Sequence, residues 1–183
     1  MDKDFSIIEE MLGIPDRAAF SWEERVDERK ALSKEDMASY LHLIYNSACE
    51  LYVSGEYEKA RDEIDSVIHI TGIDNWDNKD FPVEYYGVLV KLEQLMVLCL
   101  LKLGLYDDAT NLACGASMNL YRYDNENNHD RARANYLCGI AFYYAGQRYS
   151  VHLEEAKRQL EQESERIKGL IRSIDSYLSE GNT

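Results

Sequence analysis

The sequence contains little that would interrupt helices or lead the chain into a membrane. Its 183 residues include only two prolines, Pro15 and Pro82, and both lie outside the segments with long helical periodicity. The longest apolar run, residues 95–101 (LMVLCLL), is far shorter than the roughly 20 residues that cross a bilayer. The N-terminal residues lack the basic start and long apolar stretch of a secretory signal. We therefore expect a cytoplasmic or nuclear protein that does not insert into membranes.

Patterns associated with catalysis, metals and cofactors are also missing. Glycine-rich nucleotide loops, the GxSxG nucleophile turn and the HExxH zinc motif do not occur, and the four histidines are scattered. The acidic loops at 74–80 and 124–130 lack the glycine and the closing glutamate of a calcium loop. The cysteines stand singly without CxxC spacing, as reduced thiols do. These absences predict a non-enzymatic protein with no catalytic residues, no metal site and no cofactor.

Basic residues are few compared with acidic ones. Lys and Arg number 20 against 34 Asp and Glu, which gives a formal net charge of −14 at pH 7. This field repels the phosphates of nucleic acids, so direct nucleic-acid binding is not expected. It favours a protein partner whose contact region carries basic flanks.

What the sequence does have is apolar spacing of three to four residues along most of its length, which predicts an all-α protein. An N-terminal extension covers 1–33, where Phe5, Ile8 and Leu12 form a short helical stripe that fits either a docking motif or a frayed lead-in. Helical repeats follow over 34–148, and one long C-terminal helix that caps or interacts is expected within 149–183. The repeat helices are predicted at about 34–54, 57–71, 83–103, 106–120 and 131–145.

A spaced pattern recurs around Gly55, Gly104 and Gly146, which lie 49 and 42 residues apart. Each glycine has a small or medium residue seven positions before it and a large one four before it. The first two also have tyrosine two positions after and alanine five after. These positions are Ala48, Val97 and Gly139; Leu51, Leu100 and Phe142; Tyr57 and Tyr106; and Ala60 and Ala109. The third unit departs from the pattern, since Tyr149 comes one residue late.

This pattern resembles the tetratricopeptide repeat (TPR) family of helix-turn-helix units. The resemblance covers about residues 38–160 and implies a TPR-like superhelix of about three repeats, in which the first helix of each pair lines a concave groove. An unrelated helical bundle with glycines at its turns is the alternative. The resemblance implies that the groove binds a peptide or helix of a partner protein. Its predicted lining is His42, Tyr45, Cys49, Tyr52, Lys91, Gln94, Leu98, Leu101, Arg133, Tyr136, Ile140 and Tyr143, beside Leu95 and Leu137.

Two other interpretations of the predicted groove residues are a carboxylate clamp and a buried core. Many TPR co-chaperones grip an acidic chaperone tail with several basic residues, but of the matching positions here only Arg133 keeps that chemistry. Leu95, Leu98 and Tyr136 fit equally well as core residues between adjacent repeats. The sequence therefore predicts an aromatic and aliphatic groove instead of a carboxylate clamp.

Three functions remain at this point. The first is a non-enzymatic adaptor or scaffold that binds a partner peptide or helix in the groove. The second, suggested by the acidity, is a dedicated chaperone or assembly factor for a basic client protein. The third is a structural subunit that self-associates through residues 149–178, where an apolar seam recurs every seven residues at Leu153, Leu160, Ile167 and Ile174, with Ala156, Leu170 and Tyr177 interleaved.

Overall fold

The computed structural model describes residues 5–14, 37–71, 86–123, 128–160 and 174–179, and every regular element in these ranges is helical. The all-α prediction is confirmed. Seven helices have defined bounds, and residues 174–179 are also helical. The seven are α1 (Ser6–Leu12), α2 (Met37–Val53), α3 (Tyr57–Thr71), α4 (Tyr86–Leu103), α5 (Tyr106–Tyr123), α6 (Asn128–Tyr144) and α7 (Ser150–Leu160).

The three predicted glycines end α2, α4 and α6, and each takes the left-handed conformation that an L-residue with a Cβ adopts only under strain. Their φ angles are 81° at Gly55, 79° at Gly104 and 68° at Gly146. The turn after α2 closes with hydrogen bonds from Gly55 N to Tyr52 O (3.0 Å) and from Glu56 N to Leu51 O (2.9 Å). The same paired bonds recur after α4 and α6, which makes three equivalent Schellman turns. The next helix can therefore begin within a few residues and turn back along the previous one.

The small positions of the pattern lie where helices meet. Ala48, Val97, Ala60 and Ala109 are all fully buried. In the third pair the helices approach so closely that the position requires glycine, because a Cβ added at Gly139 would lie 2.3 Å from Leu153 Cδ2 of α7. Glycine at this position therefore lets α7 pack directly on the backbone of α6.

The helix pairs stack in sequence into a two-layer arrangement. Each helix from α2 to α7 packs against the next, and the first helices α2, α4 and α6 also contact one another directly. The central helix α4 is the most buried, with Leu92, Leu95 and Leu98 fully enclosed. The reading of Leu95, Leu98 and Tyr136 as inter-repeat core residues agrees with their burial. A helical-repeat architecture of three pairs follows.

The C-terminal part differs from the expected single long helix. Tyr149 Oη donates a hydrogen bond to Tyr177 O at 3.0 Å, and Lys157 Nζ lies 2.6 Å from Asp175 Oδ1. One straight helix would separate positions 149 and 177 by roughly 40 Å, given a rise of about 1.5 Å per residue. Residues 174–179 therefore fold back beside α7, and the prediction of one continuous helix is wrong.

This fold-back also accounts for the apolar seam. Of its described members, Leu153, Ala156, Leu160 and Ile174 are fully buried within the chain, and Tyr177 is partly buried. The Tyr177 ring lies 5.0 Å from that of Tyr143 at the end of α6. A seven-residue repeat marks a helix face that needs a partner, and for the described seam residues that partner lies within the chain.

Several sequence expectations fall outside the described residues or shift at their edges. The course of residues 15–33, the connection at 73–82 and the seam positions Ile167 and Leu170 lie outside them. The second connection is shorter than expected, since α5 continues to Tyr123 and α6 already begins at Asn128.

Candidate functional site: a groove filled by the N-terminal helix

The N-terminal stripe forms a short amphipathic helix. Phe5, Ile8 and Leu12 are each no more than 3% exposed, while Glu10 on the other face is exposed. The helix ends at Gly13, whose φ of 71° repeats the turn used after the larger helices. An isolated helix of seven residues is not stable in water, so contacts with the rest of the chain hold α1 in place.

These contacts come from all three first helices of the repeat pairs. Tyr45 Oη of α2 donates a hydrogen bond to Leu12 O at 2.7 Å. Lys102 Nζ of α4 lies 4.9 Å from the centroid of the Phe5 ring, and the Tyr144 ring of α6 meets the Phe5 ring edge-on at 5.6 Å. The helix α1 thus crosses α6, α4 and α2 in turn. From here on, the groove means the surface on which α1 lies, formed by Tyr45, Tyr52, Lys102 and Tyr144. It shares Tyr45 and Tyr52 with the lining predicted from sequence.

The groove also provides a polar site for the one α1 carboxylate that faces it. Tyr52 Oη donates a hydrogen bond to Glu9 Oε1 at 2.6 Å, and Lys102 Nζ lies 3.4 Å from the same oxygen. Burial and the neighbouring carboxylate raise the pKa of the Tyr52 phenol, which keeps it protonated as a donor. The Glu9 and Lys102 side chains are only 28% and 22% exposed, so this charge-assisted contact is partly shielded from water.

The twelve predicted groove residues are therefore mostly covered in this conformation. Of the twelve, His42 alone is exposed, and Lys91 and Tyr143 are partly buried. The other nine are buried between helices or beneath α1: Tyr45, Cys49, Tyr52, Gln94, Leu98, Leu101, Arg133, Tyr136 and Ile140. The sequence predicted that these residues line a partner-binding surface, and in the structure α1 lies against two of them, Tyr45 and Tyr52.

Some predicted groove residues join the first helices to one another. Arg133 Nε of α6 donates to Gln94 Oε1 of α4 at 2.6 Å, and Arg133 also pairs with Asp130 at 2.8 Å. Lys91 Nζ lies 5.9 Å above the Tyr45 ring, which links α4 to α2. Burial lowers the pKa of the Arg133 guanidinium, although the Asp130 carboxylate opposes this. The one cation retained from the clamp pattern is thus already engaged within the chain.

Sequence reasoning missed the polar half of the site. Glu9, Lys102 and Tyr144 were not among the predicted residues, although the apolar stripe on α1 was noticed. The available signal was Glu9 next to Ile8 in that stripe and Lys102 in the last turn of α4, a preferred place for a cation. Which carboxylate meets that cation is a long-range contact that helical periodicity does not encode.

The thiols differ sharply in their surroundings. Burial raises the pKa of Cys49 and of Cys99 to about 12. Cys114 on α5 is only partly buried, and a hydrogen bond from the Cys138 thiol of α6 lowers its pKa to about 7. Within the described ranges, no three His, Cys, Asp or Glu side chains cluster as metal ligands would. In the same ranges no helix has the length and apolar character to cross a membrane.

Comparison with known proteins provides no relatives to set beside this geometry. No protein-family model matches the chain, and no curated protein or solved structure matches it significantly.

Proposed function

We propose that this chain is a TPR-like, non-enzymatic adaptor that holds an amphipathic helix or peptide of a partner protein in the groove. The observation that supports the proposal is α1, a short amphipathic helix held against α2, α4 and α6 by both apolar and polar contacts. Helix-in-groove recognition reads apolar anchors at positions i, i+3 and i+7. Phe5, Ile8 and Leu12 have that spacing.

The proposal can be tested by photo-crosslinking from the rim of the groove. His42 is exposed on α2, one helical turn before Tyr45, and Met118 is 61% exposed on α5 in the other layer. Benzoylphenylalanine placed at His42 or at Met118 of the full chain provides a matched pair of crosslinkers. We expect a discrete protein adduct from position 42 in cells that is absent from position 118. Identical adducts from both positions, or none from position 42, would contradict the adaptor function.

The alternative of a chaperone for a basic client has the net charge of −14 in its favour. It predicts a complex whose affinity falls steeply between low and physiological salt, because surface charges are screened over about 10 Å at 0.1 M salt. An adaptor that binds through the groove depends mainly on apolar burial, and its affinity changes little over the same range. Measuring the crosslinked partner's affinity at two salt concentrations separates the two.

A further inference from the structure

We infer that α1 is a built-in competitor of the groove, and that the partner helix presents an aromatic, an aliphatic, an acidic and an aliphatic residue in the order of Phe5, Ile8, Glu9 and Leu12. The inference rests on the proposed function and adds to it the chemistry of the partner and the regulation of the site. The bulk charge of the chain favours basic partners, but the contacts inside the groove select a carboxylate.

The apolar part of this pattern follows from burial. Phe5 lies between Lys102 and Tyr144 at one end, and the Leu12 carbonyl is bound by Tyr45 at the other. Ile8, 1% exposed, lies between these ends. A partner that makes the same contacts needs apolar side chains at the same three positions of a helix of at least two turns.

The acidic part follows from the Glu9 site. A phenol and an ammonium group converge on one oxygen at 2.6 and 3.4 Å. An apolar or basic residue at this position would leave Lys102 without its carboxylate in a partly buried place, which is unfavourable. The site thus discriminates by charge where the rest of the groove discriminates by shape.

Competition follows because the partner and α1 require the same atoms. Tyr52 Oη and Tyr45 Oη both donate to α1, so a second helix cannot accept the same hydrogen bonds while α1 is bound. The apparent dissociation constant for an external helix equals the intrinsic one divided by the fraction of chains in which α1 is undocked. If α1 occupies the groove in about 99% of chains, the reduction is about 100-fold.

The test uses full-length proteins and one defined probe, a fluorescein-labelled peptide with the chain's own residues 1–14. Ile8→Asp places a carboxylate on the buried face of α1 and releases it. Ser6→Asp adds the same group on the exposed face and serves as the control. We expect the peptide to bind the Ile8→Asp chain at least tenfold more tightly than wild type or Ser6→Asp, measured by fluorescence anisotropy. Equal affinity for all three folded chains would overturn the inference.

A second experiment tests the preference of the groove for a carboxylate at the position of Glu9. A peptide with Glu9→Lys should bind the Ile8→Asp chain about tenfold more weakly, or worse, and Lys102→Glu in that chain should restore its binding. Equal binding of the two peptides would overturn the carboxylate assignment.

A wild-type measurement covers the case in which Ile8→Asp fails to fold. Saturating unlabelled peptide should speed hydrogen exchange of the α1 amides in the wild-type chain, since displaced α1 loses its helix. Unchanged exchange in the presence of bound peptide would refute competition. A wild-type dimer that dissociates on adding peptide, seen by sedimentation, would instead assign the groove to α1 of a second copy. None of these results depends on the crosslinking from His42, so the adaptor function and the competitor can fail separately.

Discussion

Replacing Gly139 by alanine tests the close approach of α6 and α7 directly. In an ordinary helix interior, Gly→Ala stabilises by about 1 kcal/mol, because alanine restricts the unfolded chain and favours the helix. At Gly139 the new Cβ would lie 2.3 Å from Leu153 Cδ2 and 2.6 Å from Leu153 Cγ. Carbon atoms in contact prefer about 3.5–4.0 Å, so Leu153 or the whole of α7 has to move.

Leu153 has little room for that movement. Its side chain is fully buried, and its own backbone nitrogen lies 3.4 Å from the added Cβ. Overpacking of this kind costs about 1–3 kcal/mol. The gain in helix propensity offsets part of this overpacking cost. We therefore expect Gly139→Ala to lower the free energy of unfolding by about 1 kcal/mol.

Gly115 supplies the matched control. It lies inside α5, and an added Cβ there meets no atom within 4 Å. Gly115→Ala should therefore show only the gain of up to about 1 kcal/mol, which places it about 2 kcal/mol above Gly139→Ala. Urea titration followed by far-UV circular dichroism measures both values, provided that the m-values stay equal.

A double-mutant cycle identifies the collision partner. Leu153→Ala alone should cost about 2–5 kcal/mol because it leaves a cavity. In the double variant the methyl group added at position 139 enters part of that space, so the combined loss should be smaller than the sum by about 1–3 kcal/mol. Additive losses, or a Gly139→Ala chain as stable as Gly115→Ala, would refute the argument that α6 and α7 meet at the glycine.

Two further predictions concern titratable groups. Iodoacetamide at neutral pH should label Cys114 well before Cys49, because only the former has a pKa near 7, and Cys138→Ala should slow that labelling by removing the hydrogen bond that stabilises the thiolate; equal labelling rates would contradict this. Burial lowers the pKa of His152, which stacks on Phe142 at 5.0 Å. Between this lowered value and the unfolded-state pKa of about 6.5, the unfolded chain binds more protons than the folded one, so the free energy of unfolding decreases as the pH is lowered through this range. His152→Gln should lose this part of the pH dependence in unfolding titrations, and an unchanged profile would show that other groups cause it.

Local features of the fold were predictable because they depend on neighbouring residues. Tyr57–Thr71 has the predicted bounds, and Gly55, Gly104 and Gly146 take the left-handed turn that the pattern requires. The last carbonyls of a helix are capped by the residues that directly follow it, so the local sequence is sufficient to predict where the helix ends. The repeat of three helix pairs followed from this local information.

Long-range contacts were less predictable. The seam through Leu153 and Ile174 was recognised as a face in need of a partner, but periodicity does not say which element provides it. The same holds for the stripe on α1, which was noticed without its destination. Lys102 and Glu9 lie far apart in sequence, and their pairing depends on where α1 crosses α4.

The energetics of α1 bear on the proposal that a partner helix displaces it. Burying Phe5, Ile8 and Leu12 contributes about 1.5–3 kcal/mol each, so roughly 7 kcal/mol together. The hydrogen bonds to Glu9 and to the Leu12 carbonyl add roughly 3 kcal/mol. Ordering the backbone of seven helical residues costs about 1–2 kcal/mol each, or roughly 10 kcal/mol. The terms agree to within a few kcal/mol, and an occupancy of about 99% requires a net docking free energy of only about 3 kcal/mol. A partner helix with the same anchors therefore needs only an advantage of about that size to displace α1.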